Sequence, residues 1–353
     1  MRRARMANID DVAKVAGVSK STVSNVFSKK RPISKEVSQR VLEAALHLNY
    51  RPNYWARSLA NKKTNIIGLN MAGEQVKFSQ FHLGLFNGVL RECYNQGYRL
   101  LVNTLSAEFS SQVEHLSTDP VDGDILLDPA SNDERISERI KRNVPLVVIG
   151  RPQEEFESSV SYVDNDNIGM GQIVTEYLLQ LGHTHIAFLN APKKRTVAQD
   201  REHGYYRAYN KAEVSVDAKL IVYKDSSLTS TVYGYQMTKK LLAAYPHITA
   251  IITDTDKVAL GVYQAAAELN LQIPQDLSVF AFSDDSVFAP EFKPPLTGVR
   301  LNGEVLGSEA AKLLIEQCRQ PNAIAKRILI PASLVYRGSC ARARVSKPTK
   351  PHK

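Results

Sequence analysis

From Ile66 onward, short apolar runs recur between stretches of helical pattern, and this alternation limits the possible folds more than any other feature of the chain. Parallel strands cannot be joined by a tight turn, so apolar runs separated by helix-length segments predict a parallel sheet with crossover helices. Strands are expected over 66–70, 100–104, 125–127, 146–149, 185–189, 220–223, 250–253 and 277–282. That is too many for one small unit, and two Rossmann-like lobes with a break near 161–167 fit better.

The 353 residues exceed a single typical core, so two or three cores joined by exposed connections are expected. No run approaches the roughly 20 apolar residues of a membrane span. The basic start, Met1-Arg2-Arg3-Ala4-Arg5, leads into Asn8-Ile9-Asp10-Asp11 rather than an apolar stretch, which argues against a secretory signal. Cys93, Cys318 and Cys340 lie too far apart to suggest a disulfide framework or a local metal site, and a reducing cytoplasm is the expected home. No cofactor and no membrane partner are expected.

The net charge of +9 is unevenly placed. Residues 1–63 hold 14 Lys/Arg against 4 Asp/Glu, and residues 340–353 hold 5 against none, so the remainder is mildly acidic. A basic head of this kind suits a polyanion. Its residues also carry a folding pattern. Val12, Ala13 and Ala16 share one helical face. Gly17 then breaks the helix, and Ser19 stands as N-cap of a second helix over 20–27. Val23 and Val26 face inward in that helix, leaving Lys20, Ser21, Thr22 and Asn25 outward. A third helix opens at Ser34, with Val37, Val41, Ala44, Ala45 and Leu48 at spacings of three and four. A helix bearing short polar side chains and a cation fits the major groove, where Asn25 could pair with adenine and Lys20 or Ser21 could reach a base or a phosphate. A polar surface helix without a partner would show the same pattern.

The segment that follows decides between them. Asp11-Val12-Ala13-Lys14-Val15-Ala16-Gly17-Val18-Ser19, Thr22-Val23-Ser24, Tyr50-Arg51-Pro52-Asn53 and Ala56-Arg57-Ser58-Leu59 together resemble the lactose/galactose repressor family of bacterial transcription regulators. The resemblance implies a helix-turn-helix DNA-binding domain over 8–52 and a hinge helix and linker over 53–65. It also implies a two-lobe effector-binding and dimerisation domain over 66–339, of the type I periplasmic-binding-protein kind. Residues 340–353 read as a basic, disordered tail. DNA contacts are implied for Ser19, Lys20, Ser21, Thr22 and Asn25, and for Asn53, Arg57 and Leu59 in the hinge. In that family the hinge helix folds on operator DNA and the residue matching Leu59 wedges into the minor groove, where an apolar side chain partly unstacks a base step. Trp55 replaces the small aliphatic residue usual there.

The resemblance continues to about Gly338, through Gly97-Tyr98, Val121-Asp122-Gly123, Leu181-Gly182-His183, Asp200-Arg201-Glu202-His203-Gly204 and Ile273-Pro274-Gln275-Asp276. It implies that the chain recrosses between the lobes near its end. Ligands of open α/β sheets bind beyond the carboxyl ends of the strands. Arg201 matches an arginine that clamps effector oxygens in relatives, although an ion pair with Asp200 or Glu202 would also account for it. Phe81 matches an aromatic at the cleft mouth, and it would serve equally as core. Arg151 and Asp164 complete a polar set, unless the run Asp164-Asn165-Asp166-Asn167 is a plain turn. Ser283 stands where many sugar-responsive relatives carry Asp, which leaves Asp284 to substitute or the ligand to differ, and Thr255 stands where relatives often carry Asn. The Asp-Asn-Asp-Asn run and the Ser283 region resemble the maltose-type regulators of Gram-positive bacteria.

These features predict a homodimeric repressor whose affinity for operator DNA is controlled by a small molecule, a sugar first, with a phosphorylated protein corepressor or a non-sugar metabolite as the alternative. An enzyme is not expected. There is no Gly-x-Ser-x-Gly elbow, phosphate loop or His-Glu-x-x-His, and Gly169-Met170-Gly171 lacks the third glycine of a dinucleotide fingerprint. A pure solute-binding protein would need an export signal and no DNA head. The tail has no heptad pattern of the sort that builds a tetramer.

Overall fold

Gly17 takes φ +65°, a left-handed conformation that ends helix α1 (Ile9–Ala16) and turns the chain into α2 (Lys20–Ser28). At the other end of α1, Asn8 and Asp11 form a reciprocal capping box: Asn8 Oδ1 accepts from the amides of Asp10 and Asp11, and Asp11 accepts from that of Asn8. Ser34 caps α3 (Lys35–His47) through the amide of Val37. Val12, Ala13, Ala16, Val23, Val41, Ala44 and Ala45 close a small core, onto which Phe27 and Tyr50 pack with ring centroids 5.9 Å apart. The computed structural model describes residues 7–28, 31–51, 58, 63–72, 79–105, 120–225, 227–284, 286–320 and 324–344. They fall in two units, the head Met1–Thr64 and the body Asn65–Lys353. Among the described residues no helix is long and apolar enough to cross a membrane.

The body holds two sheets. Strands β1 (Ile66–Ala72), β2 (Arg99–Leu105), β3 (Gly123–Leu127), β4 (Leu146–Ile149) and β5 (Ser161–Asn165) join β11 (Arg327–Ile330) in the all-parallel order β11-β5-β4-β3-β1-β2. Strands β6 (Ile186–Asn190), β7 (Ile221–Tyr223), β8 (Ala250–Thr253), β9 (Ser278–Ala281) and β10 (Thr297–Arg300) are parallel, with β12 (Ser333–Val335) antiparallel on the β10 edge. Helices cover both faces of each sheet, which is why β3, β4, β6, β8 and β9 are buried along their whole length and are mostly apolar, with Asp124 of β3 buried against Asn70 and Arg139. On the first sheet α4 (Gln80–Asn95) and α10 (Gly303–Arg319) share a core with β1 and β3, while α5 (Glu134–Lys141) packs on the opposite face. On the second, α6 (Asn167–Gln180) and α7 (Thr196–Lys211) cover one face, and α8 (Ser230–Ala244) and α9 (Asp256–Glu268) the other.

The chain crosses between lobes after β5, between β10 and α10, and between β11 and β12. Side-chain amides lace these crossings together: Asn165 donates to the carbonyl of Ile330 (2.9 Å) and Asn302 to that of Pro331 (3.0 Å). The expected break over 161–167 is therefore narrower than the sequence suggested. β5 occupies 161–165, Asp166 caps α6 through the amide of Gly169, and the crossing is confined to that junction. The expected tail also begins later than residue 340. The Ala341 carbonyl accepts from His183 Nε2 (2.9 Å), the Ala343 amide donates to Leu181 (2.8 Å), and Arg344 pairs with Asp276, so 340–344 belong to the second lobe. Residues 345–353 lie outside the described residues.

Gly204 and Gly171 let α6 and α7 approach to backbone contact. A Cβ on Gly204 would fall 2.1 Å from the Ile168 carbonyl oxygen and 2.6 Å from the Gln172 nitrogen. Gly97, at φ +75°, has open space where its Cβ would be. Gly204→Ala is therefore expected to cost about 3 kcal/mol and Gly97→Ala only about 1, since the first must push two helices apart and the second only strains a backbone angle. Urea unfolding of the two variants measures both, and equal losses would contradict the close approach.

Candidate functional site

In the head, Ser19, Ser21 and Thr22 cluster at the start of α2: Ser19 Oγ lies 2.8 Å from Ser21 Oγ and 2.9 Å from Thr22 Oγ1, and it accepts from the Thr22 amide (3.1 Å). Ser19 thus does the capping its position implied. Val23 is fully buried, and the exposed Ser21 and half-buried Thr22 and Asn25 lie on the rest of the helix. Lys20 is exposed as expected, and its Nζ sits 3.1 Å from Asp10 of α1. An exposed pair of this kind is weakly held, so it can be given up to a phosphate. Asn53, Arg57 and Leu59 lie outside the described residues.

In the body, three of the polar groups expected at the cleft, Arg151, Asp164 and Arg201, converge with others the sequence did not single out. Arg201 on α7 is 5% exposed. Its Nη1 pairs with Asp254 (2.7 Å), its Nε donates to Asn167 Oδ1 (3.2 Å), and its guanidinium carbon lies 4.6 Å from the centre of the Phe282 ring. Its partner is thus neither Asp200 nor Glu202. Asp254 follows β8 directly, and its amide is fixed to the Leu189 carbonyl at the end of β6 (2.9 Å). Burial draws the Arg201 guanidinium below its usual range and lifts the Asp254 carboxyl above its own, each against the pull of the other's charge.

Asp200 instead binds Arg151, which stands just after β4 in the other lobe. Arg151 Nε lies 2.9 Å and Nη2 2.7 Å from the Asp200 carboxylate, with Glu157 on Nη1 at 2.8 Å. This forked pair joins the lobes. Asp164 ends β5 as an acceptor for the Asn165 amide (2.8 Å), the Arg151 amide (3.0 Å) and Asn167 Nδ2 (3.0 Å). Burial first, and the nearby Asp200 charge, push its carboxyl up to about 7 against these donors. The Asp-Asn-Asp-Asn run is thus the end of a strand, a helix cap and a helix start, and it hands Asn167 on to Arg201. A second bridge between lobes runs from the loop after β3 to the start of α7. Arg195 donates to the Asp128 carbonyl, the Ser131 amide to that of Lys194 (2.8 Å), and Gln199 to Ser131 Oγ (2.8 Å).

The remaining expected residues make the following contacts. Thr255 caps α9, its Oγ1 accepting from Val258. Asp284 is held by Arg300 (2.8 Å) and Arg337 (2.6 Å) with no side-chain exposure, so it anchors the C-terminal segment and cannot replace an aspartate at the Ser283 position without breaking both pairs. Ser283 follows Phe282, its carbonyl closed against Gly298. Phe81 packs against the core of the first lobe, beside Gly303 and His82. Among the described residues no group of three or more potential metal ligands comes together.

Arg151 and Asp200 are mostly buried, and Arg151 without Asp200 would keep Glu157 whereas Asp200 without Arg151 would lose its ion pair. Arg151→Met is expected to lower stability by about 2 kcal/mol, and Asp200→Ala in the same chain to restore part of it. A double-mutant cycle in urea measures the coupling, and strictly additive losses would show that the pair does not join the lobes.

Comparison with known proteins agrees with both units. Residues 8–53 match the family described as bacterial regulatory proteins, lacI family, and residues 175–340 match the periplasmic binding protein-like domain. The ribose operon repressor of Escherichia coli K12 is 33% identical, over 95% of this chain and all of that one. The transcriptional regulator CelR of Thermobifida fusca is 30% identical over 96% of this chain and 100% of its own. Among solved structures, the CelR–cellobiose complex superposes with a TM-score of 0.73 at 28% identity, covering 94% of this chain and 99% of that one. The lac repressor dimer bound to operator and an anti-inducer superposes with a TM-score of 0.81 at 25% identity, covering 96% and 100%. With a DNA-reading head and a two-lobed body both matched along their length, the chain belongs to the lacI family of bacterial regulatory proteins.

Proposed function

We propose that two copies of this chain bind a near-palindromic operator, with each α2 in a major groove, and that a sugar held between the lobes of the body changes that affinity. The observation that carries the proposal is the convergence of Arg151, Asp164, Asn167, Arg201 and Asp254 from two lobes that meet at three crossings. A ligand seated there would bias the angle between the lobes, and only a ligand that discriminates between angles can shift DNA affinity. The cellobiose bound to CelR and the ribose operon of the E. coli relative support a sugar. Pairing of two chains is required on physical grounds, because one small head makes too few contacts for useful operator affinity.

Two arms test the DNA half. Selection of bound duplexes from a random pool by the full chain is expected to return a palindrome with a deformable central step, where an apolar hinge residue such as Leu59 would wedge. Asn25→Ala is expected to weaken binding to the selected site by about tenfold or more while leaving non-specific binding nearly unchanged. A pool with no enriched sequence would count against the reading, and so would a variant that loses both kinds of binding equally.

A further inference from the structure

Three arginines at the carboxyl ends of the strands and at the start of α7 are already answered by carboxylates of the protein. Arg201 is paired with Asp254, Arg151 with Asp200 and Glu157, and Arg135 with Asp133 at 2.6 Å. Arg201 is the one a ligand must engage if the reading above holds, and its counter-charge is fixed. Asp254 is set by its strand-end amide, keeps 17% of its side chain exposed, and lies close enough to Asp128 for the two charges to repel. An entering anion would meet an arginine that is already neutralised. To bind it, the anion would have to displace Asp254 from its buried partner, leaving that carboxylate beside Asp128 with only the more distant charge of Lys224 to offset it, which is costly in a partly dry site. A neutral polyol has no such conflict, because its hydroxyls can accept from Arg201 while donating to Asp254 and Asp164.

We infer that Asp254 sets the charge selectivity of this cleft, so that it takes a neutral polyhydroxylated ligand and rejects the phosphorylated or carboxylated counterpart. The inference rests on the effector reading above and adds a specificity-determining residue that the sequence did not mark out. Thr255, the neighbour it did mark, is occupied as a helix cap.

The test is titration calorimetry on the full chain with ribose, cellobiose, maltose, ribose 5-phosphate, glucose 6-phosphate and inorganic phosphate, using the natural protein, Asp254→Asn and Asp254→Ser. The natural protein is expected to bind a neutral sugar in preference to both sugar phosphates. In Asp254→Asn, affinity for the phosphates is expected to rise about tenfold or more, since Arg201 becomes free to make a charge-assisted bond. Adding Arg201→Met to that variant is expected to abolish the gain, which places the anion on Arg201. A natural protein that binds a sugar phosphate as tightly as the neutral sugar would overturn the inference. So would folded Asp254 variants, checked by thermal melting, with phosphate affinity unchanged from the natural protein. Operator affinity is followed separately by fluorescence anisotropy. If no sugar alters it, the regulator reading fails, while the phosphate arm still decides the charge rule.

Discussion

A guanidinium with 5% of its residue surface left to solvent must find a counter-charge inside the protein, and much of the cleft follows from how Arg201 finds one. Its helix is pressed onto α6 by the Gly171–Gly204 approach, so its own position is not adjustable. Asp254 reaches it from the end of a neighbouring strand, Asn167 from the start of the next helix, and Phe282 offers a ring face beneath it. Because Asn167 also donates to Asp164 at the end of β5, the same network spans the first crossing between the lobes. Arg151 and Asp200 add a second pair, this one spanning the two lobes, whereas Arg201 and Asp254 both belong to the second lobe. The result is a polar wall in which each of these arginines is met by at least one carboxylate, a surface suited to hydroxyl groups.

The crossings give this wall its ability to move. Three short connections, tied by the amides of Asn165 and Asn302, join the lobes, and neither core crosses them. Such hinges cost little to bend, so the pairs that bridge the cleft have a strong influence on which angle is favoured. A ligand that competes with or reinforces those pairs acts where the equilibrium is most easily shifted.

Much of this could be read before any coordinates existed, and the exceptions share a physical cause. Strands buried on both faces announced themselves as apolar runs, as Leu146–Ile149 and Ala250–Thr253 show. β5 did not, because Ser161-Tyr162-Val163-Asp164-Asn165 carries polar groups satisfied from distant parts of the chain: Ser161 Oγ accepts from the Lys326 amide and from Gln317. The edge strand β12 and the short β10 lack a continuous apolar signature, and β11 has one of only three residues, Ile328-Leu329-Ile330, half-exposed at the sheet edge. In the head, periodicity, Gly17 and Ser19 gave the helices and their outward faces, since those are local properties. In the cleft, residue types pointed to Arg201, Arg151 and Asp164, but their pairings join residues some fifty positions apart, and neither spacing nor composition encodes which aspartate meets which arginine. Asp254 stood at a strand end, the one position where the sequence could have drawn attention to it. Asp284 stood beside such an end and proved to be a structural anchor.

In the proposed function, what fills the cleft of the body governs how tightly the head holds DNA. Its most direct test is the dissociation constant of the full chain for its selected operator, measured by anisotropy at fixed salt with and without each of a panel of neutral sugars. The account predicts that at least one sugar shifts that constant severalfold or more and that Arg201→Met abolishes the shift while leaving sugar-free operator binding intact. An operator affinity indifferent to every sugar, or a shift that survives the loss of Arg201, would contradict it.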